Sequence, residues 1–221
     1  MMRMDVKDNW DRVKTLRGEE DPFDTYDYFH ELHEKYGVKP TWFFLLGEYG
    51  KYDKGVSREK EALQDLIKDI AAKYKVGIHP SYGSNKNMLK LKEEVNFMTQ
   101  LIGRNVCKSR QHYLKLLFTE TYRNLIELGI CEDYTMGYSS DVGFRAGTCT
   151  PFYFYDLYRE TKTPLKIIPF QIMDVTLNQY LNLKMDEAER MIYELVDRVK
   201  EVNGTFVSLW HNESLSDHGY W

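Results

Sequence analysis

Apolar residues recur along the chain in two alternating rhythms. Between Asp24 and Gly37, Phe29, Leu32 and Tyr36 fall three and four apart, with Asp24 and Thr25 as capping candidates and Gly37 as the stop. This predicts a helix. A dense apolar run, TWFFLLG, follows as a buried strand and opens into a polar loop. Ala62, Leu63, Leu66, Ile67, Ile70 and Tyr74 then repeat the helical spacing and lead into VGIHPS, the next strand. Helices near 86–103 and 119–128 precede strands in NVCKSRQHY and GICEDYTMGY, and a loop-rich stretch containing GFRAGTCTPF leads to PLKIIPF. In the last unit Ala188, Met191, Ile192, Leu195, Val196 and Val199 line one face of a helix before the strand GTFVSLWHNES.

Six strands alternating with five helices imply parallel strands joined by helical crossovers, as an open doubly wound sheet or a closed barrel. No GxGxxG or Walker sequence follows a strand. That weakens the nucleotide-binding open sheet and favours the barrel. No linker interrupts the pattern, so residues 21–221 are expected to form one domain, with 1–20 as an N-terminal extension.

In both architectures functional groups gather where strands end. Those positions are Glu48 and Tyr49, His79 with Ser81 and Tyr82, Arg110 with Gln111, His112 and Tyr113, Asp133, Asp174, and His211 with Asn212 and Glu213. One imidazole at a strand end is ordinarily structural, whereas three at equivalent ends suggest a site. His30 and His33 fit a solvated helix face, His218 a solvated tail, and Arg145 a loop-bracing ion pair.

Composition narrows the class. The 221 residues carry 30 Lys and Arg against 34 Asp and Glu, a net charge of -4. No basic footprint for nucleic acid emerges. No apolar run reaches the roughly 20 residues of a membrane span, and the start lacks a signal-peptide core, so a cytoplasmic location is expected. The three cysteines, Cys107, Cys131 and Cys149, have neither CxxC spacing nor an even count, which points to buried thiols.

The strings GIHPSY, SRQHYLK, GFRAGT, MDVTL and LWHNE, in this order over residues 21–215, resemble the polysaccharide deacetylases of carbohydrate esterase family 4. The likeness is to a branch associated with bacterial surface-polysaccharide genes. It implies a distorted (β/α) barrel of parallel strands, usually seven. It also implies hydrolysis of the N-acetyl amide of an amino sugar in a carbohydrate substrate, with a divalent ion, typically zinc, as cofactor. His79 lies where the family has a metal-binding histidine, but a second histidine four residues away is missing. His112, standing where the family has proline, is a candidate ligand. By the same resemblance Arg110 orients a catalytic carboxylate, Tyr113 contributes to oxyanion stabilisation, and His211 is the general acid. Asp133, or alternatively Asp174, would orient that histidine. Tyr82, Trp210 and Glu213 are candidate substrate contacts.

One part of the family pattern is not found. The Asp-x-Asp segment that ends the family's first strand should precede residue 24, and only Asp5 and Asp8 offer carboxylates in a short MDVKD run. The expectation is a barrel without its first strand, binding metal weakly and hydrolysing little. TWFFLLG would then offer an open edge for homo-oligomerisation. From a different functional class, a non-catalytic carbohydrate-binding or scaffolding barrel would use Trp42, Tyr82, Trp210 and Trp221 as faces for sugar rings.

Overall fold

The computed structural model describes residue 21 and residues 23–216. Asp5, Asp8, His218, Trp221 and the 1–20 extension therefore lie outside the described residues.

The helical spacings form helices where they predict them. These are α1 (Tyr26–Tyr36), α2 (Glu61–Lys73), α3 (Met88–Ile102), α4 (Phe118–Glu127) and α5 (Met185–Glu201). Gly37 ends α1 in the left-handed conformation at φ 63°, which a residue without a Cβ adopts freely. Thr25 precedes α1 without capping it, because its hydroxyl donates instead to the carbonyl of Asn212 at 2.8 Å. Asn212 returns a bond from Nδ2 to Phe23 O at 3.0 Å, so the two ends of the described chain meet.

Among the described residues, eight strands form two sheets. The larger sheet contains β1 (Thr41–Phe44), β2 (Lys75–Ile78), β3 (Lys108–Ser109), β4 (Glu132–Asp133), β5 (Phe152–Asp156) and β6 (Thr161–Ile167). Its order is β1-β2-β3-β4-β6-β5. The neighbours from β1 to β6 are parallel, and β5 turns back on β6 as an antiparallel hairpin. A second parallel ladder pairs β7 (Ile172–Met173) with β8 (Ser208–Leu209). The expected parallel α/β layout is present. Among the described residues the large sheet does not close: β1 and β5 stand at its two edges, and an open edge at β1 is what a barrel without its first strand would leave.

The main core lies between the large sheet and the helices packed on it, with Leu46, Ile67, Ile70, Ile78, Met98, Leu125, Leu165 and Ile167 wholly buried. A smaller cluster of Leu114, Phe170, Met173 and Leu209 fills the space toward β7 and β8. Ile172, Leu177 and Ala188 meet the apolar stripe of α5. Because all strands except β5 run the same way within their ladders, their carboxyl ends carry His79, Arg110, Asp133, Asp174 and His211.

Candidate active site

His79 and Arg110 are the first residues past β2 and β3, and the ladder hydrogen bonds continue through them. His79 N donates to Phe44 O at 2.8 Å, Arg110 N to Ile78 O at 3.1 Å, and His112 N to Pro80 O at 3.1 Å. Backbone pairing therefore holds these side chains at one end of the sheet. The chain then turns sharply. Tyr113 (φ 56°) and Leu114 (φ 50°) are both left-handed, a conformation costly for residues with a Cβ. The turn buries Leu114 and leaves Tyr113 exposed.

The Nδ1 of His79 meets Arg110 O at 2.5 Å, and Nδ1 of His112 meets Asp53 Oδ1 at 2.7 Å. Both acceptors lack hydrogen, so each Nδ1 is the donor, and in the neutral form of either ring the lone pair is on Nε2. The two rings stand 4.9 Å apart. Burial pushes His79 down to about 3, with the charges of His112, Arg110 and His211 lowering it further against the backbone bond. It is neutral at any ordinary pH. An imidazole whose Nδ1 is tied to a carbonyl or carboxylate is the arrangement that metal-binding histidines use.

Asp53, on the loop after β1, is buried and also accepts from Tyr82 N at 2.9 Å. Nothing in the sequence pattern marked it. Its side chain becomes relevant only because the loop folds back over β2 and β3.

Across the site stands a second carboxylate and imidazole pair. Asp174, directly after β7, accepts from His211 Nδ1 at 2.8 Å, His211 N at 2.6 Å and Val175 N at 2.7 Å, and also from the Ser214 hydroxyl. Burial acts to lower His211, but the hydrogen bond and charge of Asp174, with the charge of Glu213, outweigh it and hold the imidazole above its ordinary range. Burial likewise acts to raise Asp174, and His211 outweighs it, keeping the carboxyl below the usual range. Both shifts favour an imidazolium and a carboxylate. With Nδ1 occupied, Nε2 is the nitrogen left to deliver a proton.

Asp133 occupies a different place from the orienting residue of His211. It is fully buried at the end of β4 and accepts from Ser109 Oγ at 2.6 Å, Thr135 N at 3.0 Å and Thr135 Oγ1 at 2.8 Å. Burial pushes it up to about 6 against these bonds and the charge of Arg110. Burial brings Arg110 down to about 10, and the charges of Asp133, Tyr134 and Asp174 oppose the fall. The guanidinium remains cationic, with Nε on Tyr134 O at 3.3 Å and its plane over Phe43 at 4.6 Å. It thus lies electrostatically between the two aspartates.

Three tyrosines form one wall. Tyr52 and Tyr82 have ring centres 4.2 Å apart, and Tyr113 meets them edge-on at 5.8 and 5.6 Å. Lys115 Nζ lies 3.6 Å from the centre of Tyr82. Trp210 is half-exposed, with Nε1 on Ser208 Oγ at 3.1 Å, and Glu213 is exposed. Trp42, by contrast, packs against Tyr26, Phe29, His30 and His33 away from this wall.

Two imidazoles with free Nε2 atoms fit the chemistry of metal ligands, but the set is incomplete. Among the described residues, no group of three or more His, Cys, Asp and Glu side chains is arranged to hold a metal ion. Nor is any described helix long and apolar enough to cross a membrane.

No family model and no curated protein matches the chain. Its fold is similar to a solved structure described as "putative polysaccharide deacetylase from Mycobacterium smegmatis". The TM-score is 0.56 at 15% sequence identity, over 82% of this chain and 61% of that one. The chain therefore spans less than two thirds of that protein. At this identity the likeness is one of fold.

Proposed function

We propose that this end of the sheet is the site of a deacetylase-type hydrolase acting on the N-acetyl amide of an amino sugar in a polysaccharide or oligosaccharide. What supports the reading most is the His211–Asp174 pair, an imidazolium with Nε2 free, standing within electrostatic reach of the neutral His79. When water adds to an amide carbonyl, the nitrogen must gain a proton before the C–N bond breaks. His211 is poised to give it. Arg110 offers a buried positive charge beside that event, and Asp174 returns the imidazole to its charged form between turnovers.

A divalent ion, zinc by the family resemblance, would supply carbonyl polarisation and a water acidified toward neutrality. His79 and His112 are the residues that would hold it. With no group of three or more His, Cys, Asp and Glu side chains arranged to hold a metal among the described residues, metal binding is proposed to be weak and acetate release low. The tyrosine wall favours a second reading, in which the chain binds carbohydrate without hydrolysing it, since exposed aromatic faces stack on sugar rings.

Titration calorimetry separates the two. Zinc uptake abolished by His79→Ala supports the hydrolase reading. Binding of chito-oligosaccharides that ignores a chelator and is lost in Tyr52→Ala supports the binding module. Acetate release from N-acetylated oligosaccharides with zinc or cobalt is expected near background. Robust release that His211→Ala eliminates would confirm the chemistry and overturn the expectation of low activity.

A further inference from the structure

The opposite end of the sheet holds a pair of thiols. Cys107 and Cys131 stand one residue before the register pair Lys108 and Glu132 of β3 and β4. Cys107 O accepts from both Cys131 N at 2.8 Å and Glu132 N at 2.9 Å, so the two residues are neighbours on adjacent parallel chains. Both are exposed. Adjacent strands lie about 4.8 Å apart, inside the roughly 4.4–6.8 Å that a disulfide spans between Cα atoms. Cys149 is buried elsewhere, against Gly204.

Beside Cys107 opens a groove of about 770 Å³ lined by Lys39, Lys73, Lys75, Arg104 and Lys108 against the single lining acid Glu34, with Lys108 paired to Glu132. Lys39, Lys73 and Lys75 are exposed. In a chain of net charge -4, this is a local concentration of positive charge.

We propose that Cys107 and Cys131 close into an intrachain disulfide by exchange with a small anionic disulfide received in this cationic groove. The Cys107 thiolate attacks one sulfur of the oxidant and expels the first thiolate, leaving a mixed disulfide. Cys131 then attacks the Cys107 sulfur and expels the second. One disulfide is reduced to two thiols while two protein thiols are oxidised, and their two protons pass to solvent or to the released thiolates. The order of attack follows from position. Cys107 lines the groove that receives the oxidant and Cys131 does not, so the first step belongs to Cys107.

The test uses the reduced full chain with oxidised glutathione and, in parallel, with the cationic disulfide cystamine. Acid quenching, alkylation and peptide mass spectrometry follow. A linked 107–131 peptide is expected, forming about tenfold faster with glutathione than with cystamine. In a Lys73→Glu, Lys75→Glu double variant that difference should vanish. Cys131→Ser should stop at glutathione on Cys107, and alkylation of Cys149 should remain as in untreated protein. Recovery of both thiols alkylated, or of stable mixed disulfides only in the wild type, overturns closure of the pair. Equal rates with the two oxidants overturn the role of the groove.

Discussion

His211 and Asp174 shift in opposite directions, and the signs define where the pair supports the fold. The folded pKa of His211 lies above its unfolded value of about 6.5, so its contribution is complete below that pH and is lost as pH rises through the folded value. Asp174 is depressed, so its contribution is present above about 3.9 and is lost as pH falls through its folded value. Support is therefore greatest between roughly pH 4 and 6.5 and fades above neutrality. Asp174→Asn leaves burial as the main influence on the imidazole. An NMR titration should then find His211 moving from above its ordinary value to below it, and the stability difference between wild type and variant should shrink as pH rises past neutrality. A His211 titration unchanged by the substitution would dissolve the pair. Several residues of this site were legible as polar positions just past apolar runs, including His79, Arg110, Asp174 and His211. Their pairing was legible only in part, since Asp174 was the alternative rather than the first choice to orient His211, and Asp53 was not marked at all. Asp174 lies 37 positions from His211 in the chain, and Asp53 reaches His112 from 59 positions away. No spacing rule links such pairs.

The elements were legible to the degree that side-chain periodicity determines them. Helices α1 to α5 fall on the predicted stretches because each buries a stripe at spacings of three and four. Strands β3, β4 and β8 are only two residues long, shorter than the runs that predicted them, and β7, also of two residues, was not among the six expected strands because the buried segment Phe170–Gln171 separates it from β6. The β5–β6 hairpin was missed for a physical reason. Its turn contains neither Gly nor Pro; Asp156 builds it, accepting from the backbone of Tyr158 and Arg159 at 3.1 Å and from Arg123 at 2.6 and 2.8 Å. Glu160 completes it with a left-handed φ of 47°. Within the parallel part, β2 depends on a residue without a side chain. A Cβ at Gly77 would stand 2.7 Å from the Lys108 carbonyl and 2.7 Å from the Phe43 ring. The carbonyl belongs to β3 and cannot move without breaking the ladder. Gly77→Ala should cost about 2 kcal/mol, measured as a lower denaturation midpoint. A midpoint unchanged from wild type would mean that β1, β2 and β3 can spread apart.

At the scale of the whole molecule, the open edge of β1 is the feature with the widest consequence. Phe44 O faces β2, where it accepts from His79 N, and backbone groups alternate in direction along a strand. The N–H and C=O of Thr41 and Phe43 therefore point away from β2, where no described strand meets them. Natural sheets protect such an edge with charge, proline or a covering element. Here Lys39 and Pro40 stand just before the strand, and α1 covers Trp42 through Tyr26 and Phe29, leaving the strand itself to the residues Thr, Trp, Phe and Phe. Two copies pairing edge to edge through β1 would satisfy both rows of donors and acceptors at once, and a two-fold axis makes that contact self-complementary. Light scattering across a concentration series should show the mass rising toward a dimer. Thr41→Pro deletes one outward donor at the first residue of an edge strand, a position where proline is tolerated, and should return the population to monomer with the circular dichroism spectrum unchanged. A wild-type chain that stays monomeric at every concentration would show that this edge is protected in solution, and association through β1 would have to be abandoned.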